Sequence, residues 1–240
     1  MTSETNPHGA FIGHHPATLP SPDISLSGLW VRVVGMKTEH LEPLFTHISG
    51  DENRHLWDYM LGGPFDDLSE FRAVIEPMIK GHDSVLYAII PVDEPTTPKG
   101  VDNVIGYAGY LNIRPSHRAM EVGHVMFSPK LQRTPAATEA MYLMAKYALE
   151  DLGYRRYEWK CNALNARSWR AALRLGFTFE GIFRQHMIVK GRNRDTAWFA
   201  IIDEDWPELR AAFEGWLERS NFGEDGLQRR KLEDFRPQQK

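Results

Sequence analysis

The chain has a single cysteine, no long apolar run and no excess of basic charge, and each shortage removes a class of protein. Cys161 alone permits neither an internal disulfide nor a cysteine-based zinc site, which fits a reducing compartment. No stretch approaches the roughly 18 to 20 apolar residues of a membrane span. The polar start, broken by Pro and His, lacks the basic and apolar regions of a signal peptide. The expectation is a soluble, cytoplasmic protein without a membrane partner. A net charge of −4 and a pI near 6.2 argue against nucleic acid, whose binders carry a clustered basic face. Arg155-Arg156 and Arg229-Arg230-Lys231 are too short for one and read as solvated surface.

What is present is the balance of a globular domain: 240 residues, 42% hydrophobic and 25% charged, enough for one sizeable core. Residues 1–24 carry scattered Pro without a sustained period and read as a flexible arm. His8, His14 and His15 in that arm lack the Asp, Glu or Cys that would complete a metal site, so no metal is expected. Residues 222–240 read as a polar tail, leaving a domain over residues 25–221. Near its end Phe213, Trp216 and Leu217 either form a homodimer face or cover the core.

Within the domain, residues 29–34 read as a strand and residues 39–49 and 69–80 as helices, by the spacing of their apolar positions. Residues 85–90, 104–112 and 121–127 are β-rich runs joined by turn-like segments such as PVDEPTTPKG and RPSH, the pattern of an antiparallel meander. A helix over 135–152 ends before Gly153, and residues 155–161 alternate as a further strand. Strand, helix and strand make a crossover, so the strands flanking that helix are expected to be parallel. A short helix over 166–175 stops at Gly176, and 182–189, the turn Lys190-Gly191-Arg192-Asn193 and 195–202 form a hairpin. The class is α+β with a mixed sheet.

The junction SPKLQRTPAATEAM carries the chemistry. Thr134 fits an N-cap and Pro135 the first helical position, so the helix starts just after Gln132 and Arg133. Its first amides lack intrahelical partners and the helix dipole is positive there, which suits a phosphate.

Gln132-Arg133-Thr134-Pro135-Ala136-Ala137 resembles the pyrophosphate loop Q/R-x-x-G-x-G/A of the GNAT superfamily of acyl-CoA-dependent N-acetyltransferases. Asn165-x-x-Ser168-x-x-x-Ala172-x-x-x-Gly176-Phe177 with Glu180-Gly181, and Glu121-Val122-Gly123-His124, are similar to motifs of its RimJ/RimL type, which acetylates ribosomal-protein N-termini. The resemblance covers nearly the whole domain and implies the GNAT fold: a mostly antiparallel sheet, flanked by helices, with a V-shaped splay between two parallel strands. It implies acetyl-CoA as cosubstrate, held by Gln132, Arg133, Thr134, Ala136, Ala137 and Thr138, by the backbone of Val125, Met126 and Phe127, and by Asn165 and Ser168. One departure is Pro135, which replaces the usual Gly and removes one donor; at the first helical turn that donor is not needed by the helix itself.

The implied reaction is direct attack of a neutral amine on the thioester. An α-amino group, with pKa near 7.7 to 8.0, demands less of a base than a lysine near 10.4. Glu121 is the first candidate for general base, with His124 and Asp58 in reserve. Ser168 takes the acid role beside the cofactor sulfur, because Ala172 stands where many family members have a Tyr. Trp57, Asp58 and Tyr59, with His124 and with the hairpin around Arg184, His186, Arg194 and Asp195, are expected at the amine entrance, which the resemblance implies lies between these regions. The leading acceptor is a protein or peptide N-terminus. A small amine, amino-acid derivative or antibiotic is the nearest alternative, and a noncatalytic acyl-CoA sensor a further one.

Overall fold

A computed structural model describes residues 9–92 and 103–237, and alternation along its strands divides the interior in two. In β3 (Ser84–Pro91), Tyr87 and Ile89 face one hydrophobic cluster while Leu86, Ala88 and Ile90 face the other. A strand covered on both faces reads as the continuous apolar run seen in the sequence. The helices α1 (Leu41–Ile48) and α2 (Leu68–Lys80) pack on the second face. The first face receives α3 (Pro135–Lys146), α4 (Ala166–Leu175) and α5 (Trp206–Leu217).

The remaining strands are β1 (Ser25–Ser27), β2 (Val31–Gly35), β4 (Gly106–Arg114), β5 (Ala119–Phe127), β6 (Arg156–Asn162), β7 (Thr178–Val189) and β8 (Arg192–Ile202). One sheet runs in the order β1-β2-β3-β4-β5-β6-β8-β7, antiparallel except where β5 meets β6. The meander and the parallel crossover agree with the sequence reading.

Several details differ from it. The hairpin turn has two residues, Lys190 and Gly191, both at positive φ as a type I′ turn requires, and β8 begins at Arg192. β7 starts four residues earlier than expected, its course interrupted by register shifts at Phe179/Gly181 and Phe183/Met187 that obscure the alternation. The third long helix finishes as a π turn over Tyr147–Asp151, in which the Leu152 amide bonds the Tyr147 carbonyl five residues back. His8 and most of the segment Pro91–Gly100 lie outside the described residues.

The packed unit also extends past residues 25–221. Ala17 is buried in the first cluster, with the Ala17 and Thr18 amides bonded to Pro115 and Leu152 carbonyls. At the other end Leu232 is fully buried, and Arg236 donates to the Leu173 and Arg174 carbonyls of α4. Short apolar anchors within polar segments leave no period to read. Phe213, Trp216 and Leu217 are all buried within the chain, so they cover its core and offer no dimer face.

Two contacts fix α3, on which the site depends. The buried Glu139 carboxylate accepts the amides of Leu29, Trp30 and Val31 at 2.7, 2.6 and 2.9 Å, tying the helix to the β1–β2 turn. Gly28 is required there, because a Cβ would lie 2.2 Å from the Glu139 carboxyl carbon. Burial pushes this carboxyl above its ordinary range, and the three amides oppose that rise.

Candidate active site

The pairing of β5 with β6 runs only from Ala119↔Arg156 to Val122↔Trp159, although both strands continue. Beyond Val122 the β6-facing backbone of residues 123–127 has no strand partner among the described residues, which opens the splay. On its other side β5 carries a bulge: the step from Gly123 to Met126 faces the shorter step from Gly109 to Tyr107 on β4. His124 sits in it at φ 51°, and the extra residue inverts the alternation. Met120 and Val122 therefore face the α3 cluster while Met126 faces the α1–α2 cluster.

After β5 the chain turns through Ser128 to Arg133 into α3. Leu131 is fully buried against Gly106, where a Cβ would meet it at 2.6 Å, and this plugs the loop into the sheet. Thr134 is the N-cap: its Oγ1 accepts the Ala137 amide at 3.2 Å and donates to the Leu131 carbonyl at 2.7 Å. Pro135 occupies the first helical position as expected. The amides of Arg133, Thr134 and Ala136 are then left without partners among the described residues, beside the exposed Arg133 side chain.

Three other expected cofactor residues do not donate here. Gln132 spends its backbone amide on the Ser128 carbonyl and its side-chain amide on the Phe127 carbonyl at 2.8 Å, so it shapes the loop. The Ala137 amide is consumed by the cap. Thr138, the first residue whose amide has an intrahelical acceptor, is buried, and its Oγ1 accepts from Arg174 at 3.0 Å.

Across the splay, Asn165 caps α4 by accepting the Ser168 amide at 3.1 Å, and its own NH2 group has no partner among the described residues. The Ser168 Oγ accepts from the Trp159 indole at 2.9 Å. It also lies within reach of the buried Cys161 thiol, which burial pushes up and the Ser168 hydrogen bond draws back.

On the α1–α2 face the ionic residues converge. Glu121 is buried, and its Oε2 accepts from Lys160 Nζ at 2.7 Å and Asn112 Nδ2 at 2.6 Å. Its register partner Glu158 contacts Lys160 at 2.9 Å, Arg114 at 2.7 Å and Arg156 at 2.8 Å. Burial alone would raise the Glu158 carboxyl, but hydrogen bonds from Lys160 and Arg156 and the surrounding positive charge hold it below its usual range. Lys160 Nζ also lies 4.0 Å above the Trp198 ring. His186, its Nδ1 2.9 Å from Thr196 Oγ1, packs near the same Trp198, so it joins this group. His124 is half-buried, and burial lowers its pKa, which keeps it neutral near pH 7.

The entrance segment behaves unevenly. Tyr59 Oη reaches the Leu164 carbonyl at 3.2 Å and Lys190 Nζ reaches the Trp57 carbonyl at 2.8 Å, so residues 57–59 touch both the β6–α4 loop and the hairpin. Asp58 is exposed; burial lowers the pKa of the Lys190 amine, and the nearby Asp58 charge only partly opposes that fall. Trp57 itself is a packing residue, buried against Phe65 and Phe71 with its indole bonded to the Ile48 carbonyl, and forms no wall of the entrance. Sequence reasoning passed over Asn112, Glu158 and Lys160. A signal was present: charges at 156, 158 and 160 alternate with Tyr157, Trp159 and Cys161 along one strand.

A bulged strand splaying from a parallel neighbour, beside a capped helix start with open amides, defines an acyl-CoA-dependent transferase. Residues 31–178 match the Acetyltransferase (GNAT) domain, and the chain belongs to that family of N-acetyltransferases. It is similar to a GCN5-related N-acetyltransferase from Brucella melitensis, 37% identical with a TM-score of 0.86 over 92% of this chain and 97% of that one. A probable GNAT-family acetyltransferase from Chromobacterium violaceum is 35% identical, with a TM-score of 0.76 over 86% of this chain and 100% of that one. The uncharacterized N-acetyltransferase YnaD of Bacillus subtilis is 28% identical over 128 residues, 53% of this chain and 69% of that protein. Membership implies acetyl-CoA as the cosubstrate. The open amides and Arg133 fit its diphosphate, and the unpaired edge of β5 fits its amide-bearing arm.

Proposed function

We propose that the protein transfers the acetyl group of acetyl-CoA directly to the α-amino group of a protein or peptide N-terminus, as the RimJ/RimL resemblance implies. The observation that carries this reading is the state of Glu121. One of its oxygens is already engaged by Lys160 and Asn112, so Oε1 alone is open to take a proton, directly or through a water. Such a base suits an α-amine, of which roughly a tenth or more is already neutral at pH 7.

In this reading Arg133 and the amides of Arg133, Thr134 and Ala136 hold the diphosphate, while Asn165 and the backbone of Val125, Met126 and Phe127 align the thioester. Open amides on β5 stabilise the negative charge that gathers on the thioester oxygen. The Ser168 hydroxyl, turning from Cys161, serves the departing thiolate as acid and regains its proton from solvent; a thiol pKa near 8.5 makes that thiolate a fair leaving group. Asp58, Tyr59, His124 and His186 line the approach. The open Glu121 oxygen supports turnover over passive binding of an acyl-CoA.

Purified protein with acetyl-CoA, incubated with peptides of varied first residue and a panel of small amines, tests this by product mass. Acetylation of peptide α-amines is the expected outcome. Transfer to small amines alone would move the acceptor to that class, and cofactor binding without any transfer would make the protein a sensor.

A further inference from the structure

Around Glu121 the cations of β4 and β6 have carboxylate partners, whereas Arg194 of β8 has none among the described residues. Arg114, Arg156 and Lys160 each contact a carboxylate, drawn from Glu121, Glu158 and Glu180. Arg194, two residues before Thr196 on β8, is only partly exposed, and among the described residues no carboxylate lies within ion-pair distance of it. Its Nε donates to Thr196 Oγ1 at 3.2 Å, and that buried hydroxyl is fixed in turn by His186, so the guanidinium is held from one side while its two terminal nitrogens make no bond among the described residues. Its position is at the splay: Arg194 lies close enough to act electrostatically on both Glu121 and Cys161.

Withdrawing a guanidinium from water without a counter-ion is costly, and a fork of unused donors matches a carboxylate in shape and charge. The diphosphate has its own cradle at the start of α3. The unmatched charge is therefore left for the other substrate.

We propose that Arg194 is the binding subsite for a carboxylate carried by the acceptor close to its reacting amine. This rests on the acetyltransferase reading above and narrows its acceptor. Two sources carry that chemistry: the side chain of an N-terminal Asp or Glu, and the α-carboxylate of a free amino acid. Polycationic amines are disfavoured, because Arg194 repels their second charge.

The test compares kcat/KM for acid and amide pairs: peptides beginning Asp against Asn and Glu against Gln, and glycine against glycinamide. The full-length protein should prefer the acid in one series by about 10- to 100-fold, the range of a charge-assisted pair. The peptide series identifies a side chain, the glycine series a free amino acid. In Arg194→Gln the acid-to-amide ratio should fall toward one, and Arg194→Lys should restore part of it, while acetyl-CoA affinity by calorimetry reports that each variant is folded. A wild-type ratio at or below one in every series, or a ratio unmoved in Arg194→Gln, overturns the proposal while leaving acetyl transfer intact. Absence of transfer to any amine overturns the reading beneath it as well.

Discussion

The two halves of the site are built from different materials. The half proposed for the cofactor, at the start of α3, is made of backbone: three open amides, a Thr cap, a Pro in the first turn and one arginine. The half proposed for the acceptor is made of side chains, with Asn112, Glu121, Glu158, Lys160 and Trp198 brought together from four strands by sheet register. A backbone site depends on where the helix begins and tolerates changes of sequence, including Pro135. A side-chain site depends on each charge having its partner, and it can be broken one residue at a time.

The largest expected effect follows from that contrast. Lys160→Met leaves Glu121 and Glu158 buried side by side without the cation between them, and removing one partner of a buried ion pair costs about 3–5 kcal/mol. Denaturant unfolding should show a loss of that order; an unchanged midpoint would mean that the ionic network does not hold the acceptor half together.

Next in size, Glu121→Gln should lower kcat about 100-fold, the range of general base catalysis, while acetyl-CoA affinity stays as it was. A matched loss of affinity would erase the distinction between the halves. Arg133→Glu should do the reverse, weakening acetyl-CoA binding about 10- to 30-fold through repulsion at the helix start. Retained turnover at saturating cofactor is the readout that sharpens the comparison.

The smallest effect concerns acid. Glu158 has a folded-state pKa below its unfolded value, so its contribution to stability is present above about pH 4.3 and lost as the pH falls through the folded pKa. Urea midpoints measured from pH 6 downward should drop for the native chain and drop less steeply in Glu158→Gln. Equal slopes would exclude Glu158 as a source of acid sensitivity.

The contrast also explains what the sequence could reveal. Thr134-Pro135 and Asn165 announce helix starts, and Gly176 a helix end, through local rules, so the elements that carry the cofactor half were legible. The splay was reached only through family resemblance, since no residue type marks the place where β5 leaves β6. Lys160 was missed because its meaning lies in two carboxylates, one of them 39 positions away, on a register that only the folded sheet reveals. Trp57 looked like an entrance aromatic and proved to be core, an ambiguity that burial alone resolves.

The central claim is that the start of α3 grips the diphosphate of acetyl-CoA and directs its thioester into the β5–β6 splay. A crystal structure of the protein with coenzyme A bound tests it most directly. The account predicts diphosphate oxygens about 3 Å from the amides of Arg133, Thr134 and Ala136, with the pantetheine arm running along residues 123–127. A diphosphate bound elsewhere, or an arm lying outside the splay, would contradict it.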